Sequence, residues 1–359
     1  MHDFYIGIKK RTMKKTILSL SILIFSGLAL IAGNPDRQGE AGAAELLLNP
    51  WARSAGLHSM TTASIAGVEA MRINVAGIGR INGKELLVSN ARLFEGSTIQ
   101  MNSFGYAQKM KNNGAFSVSL VAMDFGDIPV TTVGQPEGTG ADYSPSFFHL
   151  GLGYAYTYEN KISVGLLVRT ISESTADVSA FGFAIDAGVQ YVSGEQDNFR
   201  LGISLRNIGS PMKFGGQGLT FQTDNPDGNT NYLISVDQRS EDFELPSVLN
   251  IGLSYDFHFT DKLLLRTVAN FTSNAFSRDQ IGGGLELSFN EMFSLRGGYK
   301  KDFGSSGTSL GNVYSGVSAG ASIELPFNES GKNKLGVDYA YRATNPFRGT
   351  HNFSLRLSF

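Results

Sequence analysis

The sequence predicts an all-β chain: a transmembrane antiparallel β-barrel of about fourteen strands, preceded by an N-terminal hatch or plug segment. Three observations predict it. Segments of ten or more residues alternate large apolar side chains with small or polar ones. Short and long connections alternate between those segments. After residue 32 no apolar stretch approaches the roughly twenty residues that a helical span requires.

The alternation is clearest in four places. Phe148, Leu150, Leu152, Tyr154, Tyr156 and Tyr158 share one face, while His149, Gly151, Gly153, Ala155 and Thr157 share the other. Leu249 to Phe259, Phe293 to Tyr299 and Leu335 to Tyr341 repeat the pattern. Side chains of a strand point to opposite sides at every step, so each segment has one greasy face and one small or polar face. A soluble sandwich alternates too, but here Tyr and Phe gather at segment ends, as in Tyr255-Phe257-Phe259, where a bilayer interface takes aromatic rings. Strands in hydrocarbon cannot leave an edge unpaired, so the sheet must close.

Candidate strands fall at 84–92, 97–109, 114–124, 146–157, 161–172, 178–192, 198–208, 247–259, 262–272, 279–289, 291–300, 315–327, 333–343 and 350–359. Glu159-Asn160, Thr260-Asp261 and Asn290-Glu291 are tight turns, and 193–197 and 328–332 are short. The links 125–145, 209–246 and 301–314 are long. That order matches periplasmic turns and extracellular loops, and with an even strand number both termini face the periplasm. The final segment, His351 to Phe359, alternates strictly and ends on an aromatic, which resembles the signal by which the barrel-assembly machinery recognises its clients.

Residues 1–33 read as a signal peptide: Lys14-Lys15, the apolar run Ile17 to Ala32, then small residues. Met1 to Thr12 would be a long basic extension, so Met13 stands as an alternative start. Residues 34–83 do not alternate; a helix-prone run at Ala41 to Leu48 and a stretch rich in Gly, Ala and Ser suit a hatch folded into or under the lumen of the barrel 84–359, with a periplasmic tail as the alternative. Outer-membrane lipid is the implied surround.

Composition excludes several functions. The net charge is −2 and gives no basic field for nucleic acid. There is no Cys, and the five His are scattered, with no His-Glu-x-x-His or other spacing for a metal. No Gly-x-Ser-x-Gly elbow presents a nucleophile, and no glycine-rich loop cradles a cofactor phosphate, so a non-enzyme without cofactors is expected. If the apolar faces meet lipid, Asp186, Arg206, Asp256, His258, Glu286, Arg296, Lys300, Asp338 and Arg342 point into the lumen. There they pair with one another or with the plug, or else they line a solute site. In the longest loop, Met212, Phe214, Leu219 and Phe221 could form an apolar lip that docks a partner or an acyl chain.

Several motifs add a resemblance. Gly33-Asn34-Pro35-Asp36-Arg37, Asn49-Pro50-Trp51-Ala52-Arg53-Ser54-Ala55-Gly56, Phe125-Gly126-Asp127-Ile128, Gly182-Phe183-Ala184-Ile185-Asp186 and Leu205-Arg206-Asn207-Ile208-Gly209 occur in this order. The chain thereby resembles the PorV/PorQ family of Bacteroidetes outer-membrane proteins, similar in fold to the fatty-acid channel FadL. The resemblance implies a fourteen-stranded barrel with a hatch, and a role beside type IX secretion or gliding machinery, receiving or releasing exported cargo. The alternative it leaves is a FadL-like transporter of hydrophobic small molecules. The family's hatch commonly reads Asn-Pro-Ala; here the matching site is Asn74-Val75-Ala76-Gly77, and loss of Pro frees a backbone donor and relaxes φ.

Overall fold

The computed structural model of the chain describes residues 35–226, 232–303, 312–327 and 333–359. The expected signal peptide and the expected turn at 328–332 lie outside these residues. The described chain forms a closed antiparallel barrel of fourteen strands, each paired with its neighbour in sequence order. They are β1 (Lys84–Arg92), β2 (Gln100–Lys109), β3 (Gly114–Asp124), β4 (Ser146–Tyr158), β5 (Ile162–Thr175), β6 (Val178–Ser193) and β7 (Phe199–Gly209). They continue as β8 (Val248–Thr260), β9 (Leu263–Asn274), β10 (Gln280–Phe289), β11 (Phe293–Asp302), β12 (Tyr314–Pro326), β13 (Lys334–Thr344) and β14 (Thr350–Ser358). β14 pairs with β1, Val88 opposite Leu355, and closes the wall.

Twelve of the fourteen expected strands match to within two residues at each end. The second begins at Gln100 instead of residue 97, because Glu95, Ser97 and Leu93 form a compact turn tied by the Ser97 hydroxyl. The fifth runs to Thr175, three residues beyond expectation, since it continues pairing with β6 up to Val178. Tight turns set the register at one end. Glu159 and Asn160 both adopt positive φ, as do Asn290 and Glu291, the geometry whose twist matches paired strands. Two of the long links, 125–145 and 209–246, carry ribbons of their own: Ile128–Pro129 with Asp142–Tyr143, Met212–Lys213 with Asp242–Phe243, and Thr220–Asp224 with Leu233–Asp237; most of the third, 301–314, lies outside the described residues.

The outer face of the wall is apolar and open. Leu166 is 59% exposed and Leu295 64%, and Leu253, Phe183, Val317 and Leu355 are exposed on the same side. An uninterrupted girdle of such side chains around a closed sheet is a lipid-facing surface. Tyr154, Tyr156, Tyr158, Phe257, Phe259, Phe289 and Phe293 stand exposed near the short-turn end. The wall therefore spans a membrane, and its fold is that of an outer-membrane barrel. Among the described residues no helix is long and apolar enough to cross a membrane.

Residues 43–81 fill the lumen. Trp51, Ile65, Val68, Met71, Ile73, Val75 and Ile78 pack with wall residues Leu87 and Leu167 in one buried cluster. The helix-prone run settles as a short 3-10 turn, Ala44–Leu47, and brief helices cover Ala52–Ala55 and Ala70–Ile73. The small inward residues of the wall make this docking possible. A Cβ at Gly165 would lie 2.7 Å from the Ala76 nitrogen, and one at Gly188 would collide with the Asn74 side chain. These positions admit plug backbone, not an open passage.

Polar side chains lock the plug in place. Asn74 donates to the carbonyls of Thr62 (2.9 Å) and Val189 (3.1 Å) and accepts from the Ala76 N–H. Gln190 donates to the Thr62 and Ile65 carbonyls, Ser204 to Ile73 and Ser318 to Gly56. The Pro50 carbonyl accepts from Ser89 of β1 (2.6 Å) and from Asn352 of β14 (2.9 Å).

Candidate functional site in the lumen

Inward side chains of β7 to β14 build two different environments at the two ends of the lumen. At the short-turn end lies a chain of alternating charges. Arg200 meets Asp256 at 2.9 Å, and Asp256 meets Arg266 at 2.7 Å. Arg266 meets Glu286 at 3.2 Å, and Glu286 meets Arg296 at 2.7 Å. Arg296 then donates to Ser322 (2.6 Å), Ser322 to Asp338, and Arg356 pairs with Glu324 (2.6 Å). Each member sits one strand from the last, because antiparallel register places Arg266 opposite both Asp256 and Glu286. Buried charges tolerate low dielectric when matched in this way.

At the long-loop end the arrangement is different. A cavity of about 300 Å³ lies between the plug and β7 to β13. Arg72 of the plug, Arg206 of β7, Lys300 of β11 and Arg342 of β13 line it, and no Asp or Glu does. Among the described residues none of these four forms an ion pair within 4.0 Å. Arg72 donates to the Leu48 (2.7 Å) and Glu45 (2.5 Å) carbonyls, and Arg206 to the Leu46 carbonyl (3.2 Å). The Arg342 guanidinium stacks over the Tyr314 ring at 4.4 Å. The nearby acids are engaged elsewhere: Asp186 with Arg169 (2.7 Å) and the Asn207 N–H (2.7 Å), Asp302 with Gln280 (2.7 Å). Burial, reinforced by Lys300 and Arg342, holds the His58 imidazole well below its ordinary range, so it adds no fifth charge.

Local backbone geometry creates part of this chamber. The pairing of β6 with β7 slips between Ile185 and Ala187, and Asn207 takes a positive φ of 59°. A bulge turns two successive residues, Arg206 and Asn207, inward together. The motifs ending in Asp186 and containing Arg206-Asn207 thus meet at one irregularity of the wall.

The plug separates this chamber from a second cavity of about 190 Å³ beside the charge chain, lined by Arg53, Leu57, Arg200, Arg266 and Glu286. Ser54 and Leu57 face the second cavity, while His58 and Ser59 face the first. The turn 54–59 is therefore the partition. Asn49 braces it by donating to the hydroxyls of Ser54 (2.9 Å) and Ser59 (3.0 Å). His58 and Ser59 hold φ of 50° and 61°, a conformation costly for residues with a Cβ.

The expected lumen residues divide between these environments. Asp256, Glu286, Arg296 and Asp338 belong to the charge chain, Asp186 to its own pair, and Arg206, Lys300 and Arg342 to the chamber. His258 shares the inward parity but is exposed at the barrel end, where the β8 register slips before Thr260. The hatch residues Asn74, Val75, Ala76 and Gly77 are buried against β5 and β6. The apolar lip needs correction. Met212 is 1% exposed, packed with Leu46, Ile171 and Leu245, and Phe214 stacks on Phe243. Phe221 is exposed on a separate ribbon, with Leu219 partly covered beside it. Arg72, Arg169, Arg200 and Arg266 were not expected; strand parity points to the last three, while Arg72 lies in irregular chain where no period operates.

Among the described residues no group of three His, Asp or Glu side chains is arranged to hold a metal ion. No protein-family model matches the sequence, and no curated protein matches it. Solved structures are similar in shape. The CymD monoaromatic hydrocarbon channel is 13% identical at a TM-score of 0.54, over 87% of this chain and 98% of that one. The Pseudomonas putida toluene transporter TodX is 12% identical at 0.50, over 89% and 97%. A Pseudomonas aeruginosa FadL homologue is 12% identical at 0.49, over 86% and 98%. The first of these is a channel and the second a transporter. At such identities the likeness is one of fold: the chain is a closed fourteen-stranded antiparallel barrel with a filled lumen, similar in architecture to the CymD channel.

Proposed function

We propose that this barrel is an outer-membrane transporter that admits a small solute from outside into a lumen chamber and passes it inward when the plug yields. One observation carries the reading: two cavities lie on either side of a single strained turn, residues 54–59. In this reading a solute in the outer cavity reaches the second when that turn shifts. The likeness in shape to hydrocarbon channels supports a conducting role, while the lumen chemistry here is far more polar than a hydrocarbon would want. In this reading the short-turn end and both termini face the periplasm, and residues 1–33 direct export.

The test is flux through liposomes containing the purified chain. Asn49→Ala removes the brace on Ser54 and Ser59, so small neutral and anionic solutes should pass faster than through the unaltered protein. If neither protein passes any solute above the rate of empty liposomes, the transporter reading fails.

A second reading is favoured by the density of bonds holding the plug. A barrel whose lumen stays shut acts through its wall and loops, as an accessory of type IX secretion of the PorV/PorQ type would. Copurification in mild detergent distinguishes the two: stable secretion partners or exported cargo support the accessory role, and their absence together with solute flux supports transport.

A further inference from the structure

We infer that the outer chamber is a binding site for a small, multiply charged anion bearing carboxylate or phosphate groups. This deepens the transporter reading and rests on it for how the anion arrives and leaves. Four cations converge on a cavity of about 300 Å³ whose lining holds no acid. The Nε atoms of Arg206 and Arg342 are buried without a hydrogen-bond partner among the described residues. Leaving cationic donors buried and unpaired is costly, and the charge chain avoids that cost, since every arginine in it meets a carboxylate.

The positive charge is local, because the whole chain carries −2. A concave, partly enclosed cationic surface concentrates anions and suppresses competitors without charge. Guanidinium groups match the planar oxygens of carboxylate and phosphate, and Lys300 adds a point charge. Asn250, Thr272 and Gln280, also on the lining, supply neutral polar atoms for the rest of an organic acid or phosphate ester. A hydrocarbon has no group to answer the four cations. The site therefore selects a different cargo from the one named for CymD.

Binding is tested on the full chain purified in a mild nonionic detergent, by titration calorimetry at low ionic strength with sodium citrate, with pyrophosphate and, separately, with laurate. Citrate or pyrophosphate should bind, and added NaCl should weaken the binding. Lys300→Gln and Arg206→Gln should each weaken it about tenfold or more, the worth of one charge-assisted hydrogen bond, while Lys300→Arg should retain it. Correct folding of each variant is read from heat-modifiable migration. The inference is overturned if neither polyanion binds, if the charge-removing variants bind as tightly as the parent, or if laurate alone responds to those changes, which would mark an amphiphile headgroup as the ligand. The two claims fail separately. A chain that binds citrate but passes no solute loses the transporter reading and keeps the anion site, and one that conducts but binds neither polyanion loses only the site.

Discussion

At the short-turn end of the lumen Asp256 sits between Arg200 and Arg266, and Glu286 between Arg266 and Arg296; at the long-loop end Arg72, Arg206, Lys300 and Arg342 share a cavity with no acid. The same strands supply both ends. β7 contributes Arg200 to one and Arg206 to the other, and β11 contributes Arg296 and Lys300. The difference teaches that inward charge in this barrel has two uses. Where cross-strand register alternates sign, charge fastens the wall to itself. Where it does not, the wall presents a field to whatever enters.

Breaking the charge chain should have the largest effect. Asp256→Asn leaves Arg200 and Arg266 without their shared carboxylate, and removal of one partner of a buried pair costs about 3–5 kcal/mol. The thermal loss of β-sheet circular dichroism in detergent should move to clearly lower temperature. A shift no larger than that of Lys300→Gln would erase the distinction between the two ends. Overfilling the plug's seat comes next. Gly188→Leu drives a side chain into Asn74 and should cost about 1–3 kcal/mol, releasing the plug while the wall stays closed. Limited proteolysis should then cut within residues 43–81 in the variant alone. Asn74→Ala removes donors to Thr62 and Val189 and should act in the same direction by about 1–2 kcal/mol.

Lys300→Gln is the mirror case. It relieves repulsion among like charges, so stability should rise by a few tenths of a kcal/mol at low salt, about 0.5 at most, and the gain should vanish in 1 M salt at a Debye length of about 3 Å. A fall at low salt would mean that Lys300 is held by a carboxylate after all. The most localised effect concerns Glu45, whose carboxyl burial pushes up to about 7 while its backbone N–H, Arg72 and Glu173 pull the other way. With the folded value raised above the ordinary 4.5, the stability it lends is full below about 4.5 and is lost as pH rises through about 7. Protease protection of residues 43–48 should accordingly be greater at pH 5 than at pH 8.

Much of the wall was readable from the chain because a strand exposed to lipid on one side and a packed lumen on the other writes both faces into a period of two. Leu253 and Leu295 outward, Ser254 and Arg296 inward, follow from that alone. The inward charges were readable as a set, but which of them pair was not, since pairing depends on register across neighbouring strands and on the bulge at Asp186 and Arg206. The chamber was hidden further, because Arg72 comes from aperiodic chain and its position depends on how the plug folds back. Met212 shows the opposite error: an apolar residue in a loop reads as exposed, whereas its ribbon folds it over Gly182 and Ile171.

The carbonyl of Pro50 takes one hydrogen bond from the first strand and one from the last. With Ala52 donating to Ser354 and Val68 to Glu85, the segment inside grips both borders of the junction where the sheet meets itself. That junction is the one place where the wall joins residues more than two hundred positions apart, so it is the slowest to find by chain diffusion. A clasp already attached to β1 and shaped to receive β14 shortens that search, and the occupant of the lumen becomes a template for shutting the cylinder around it.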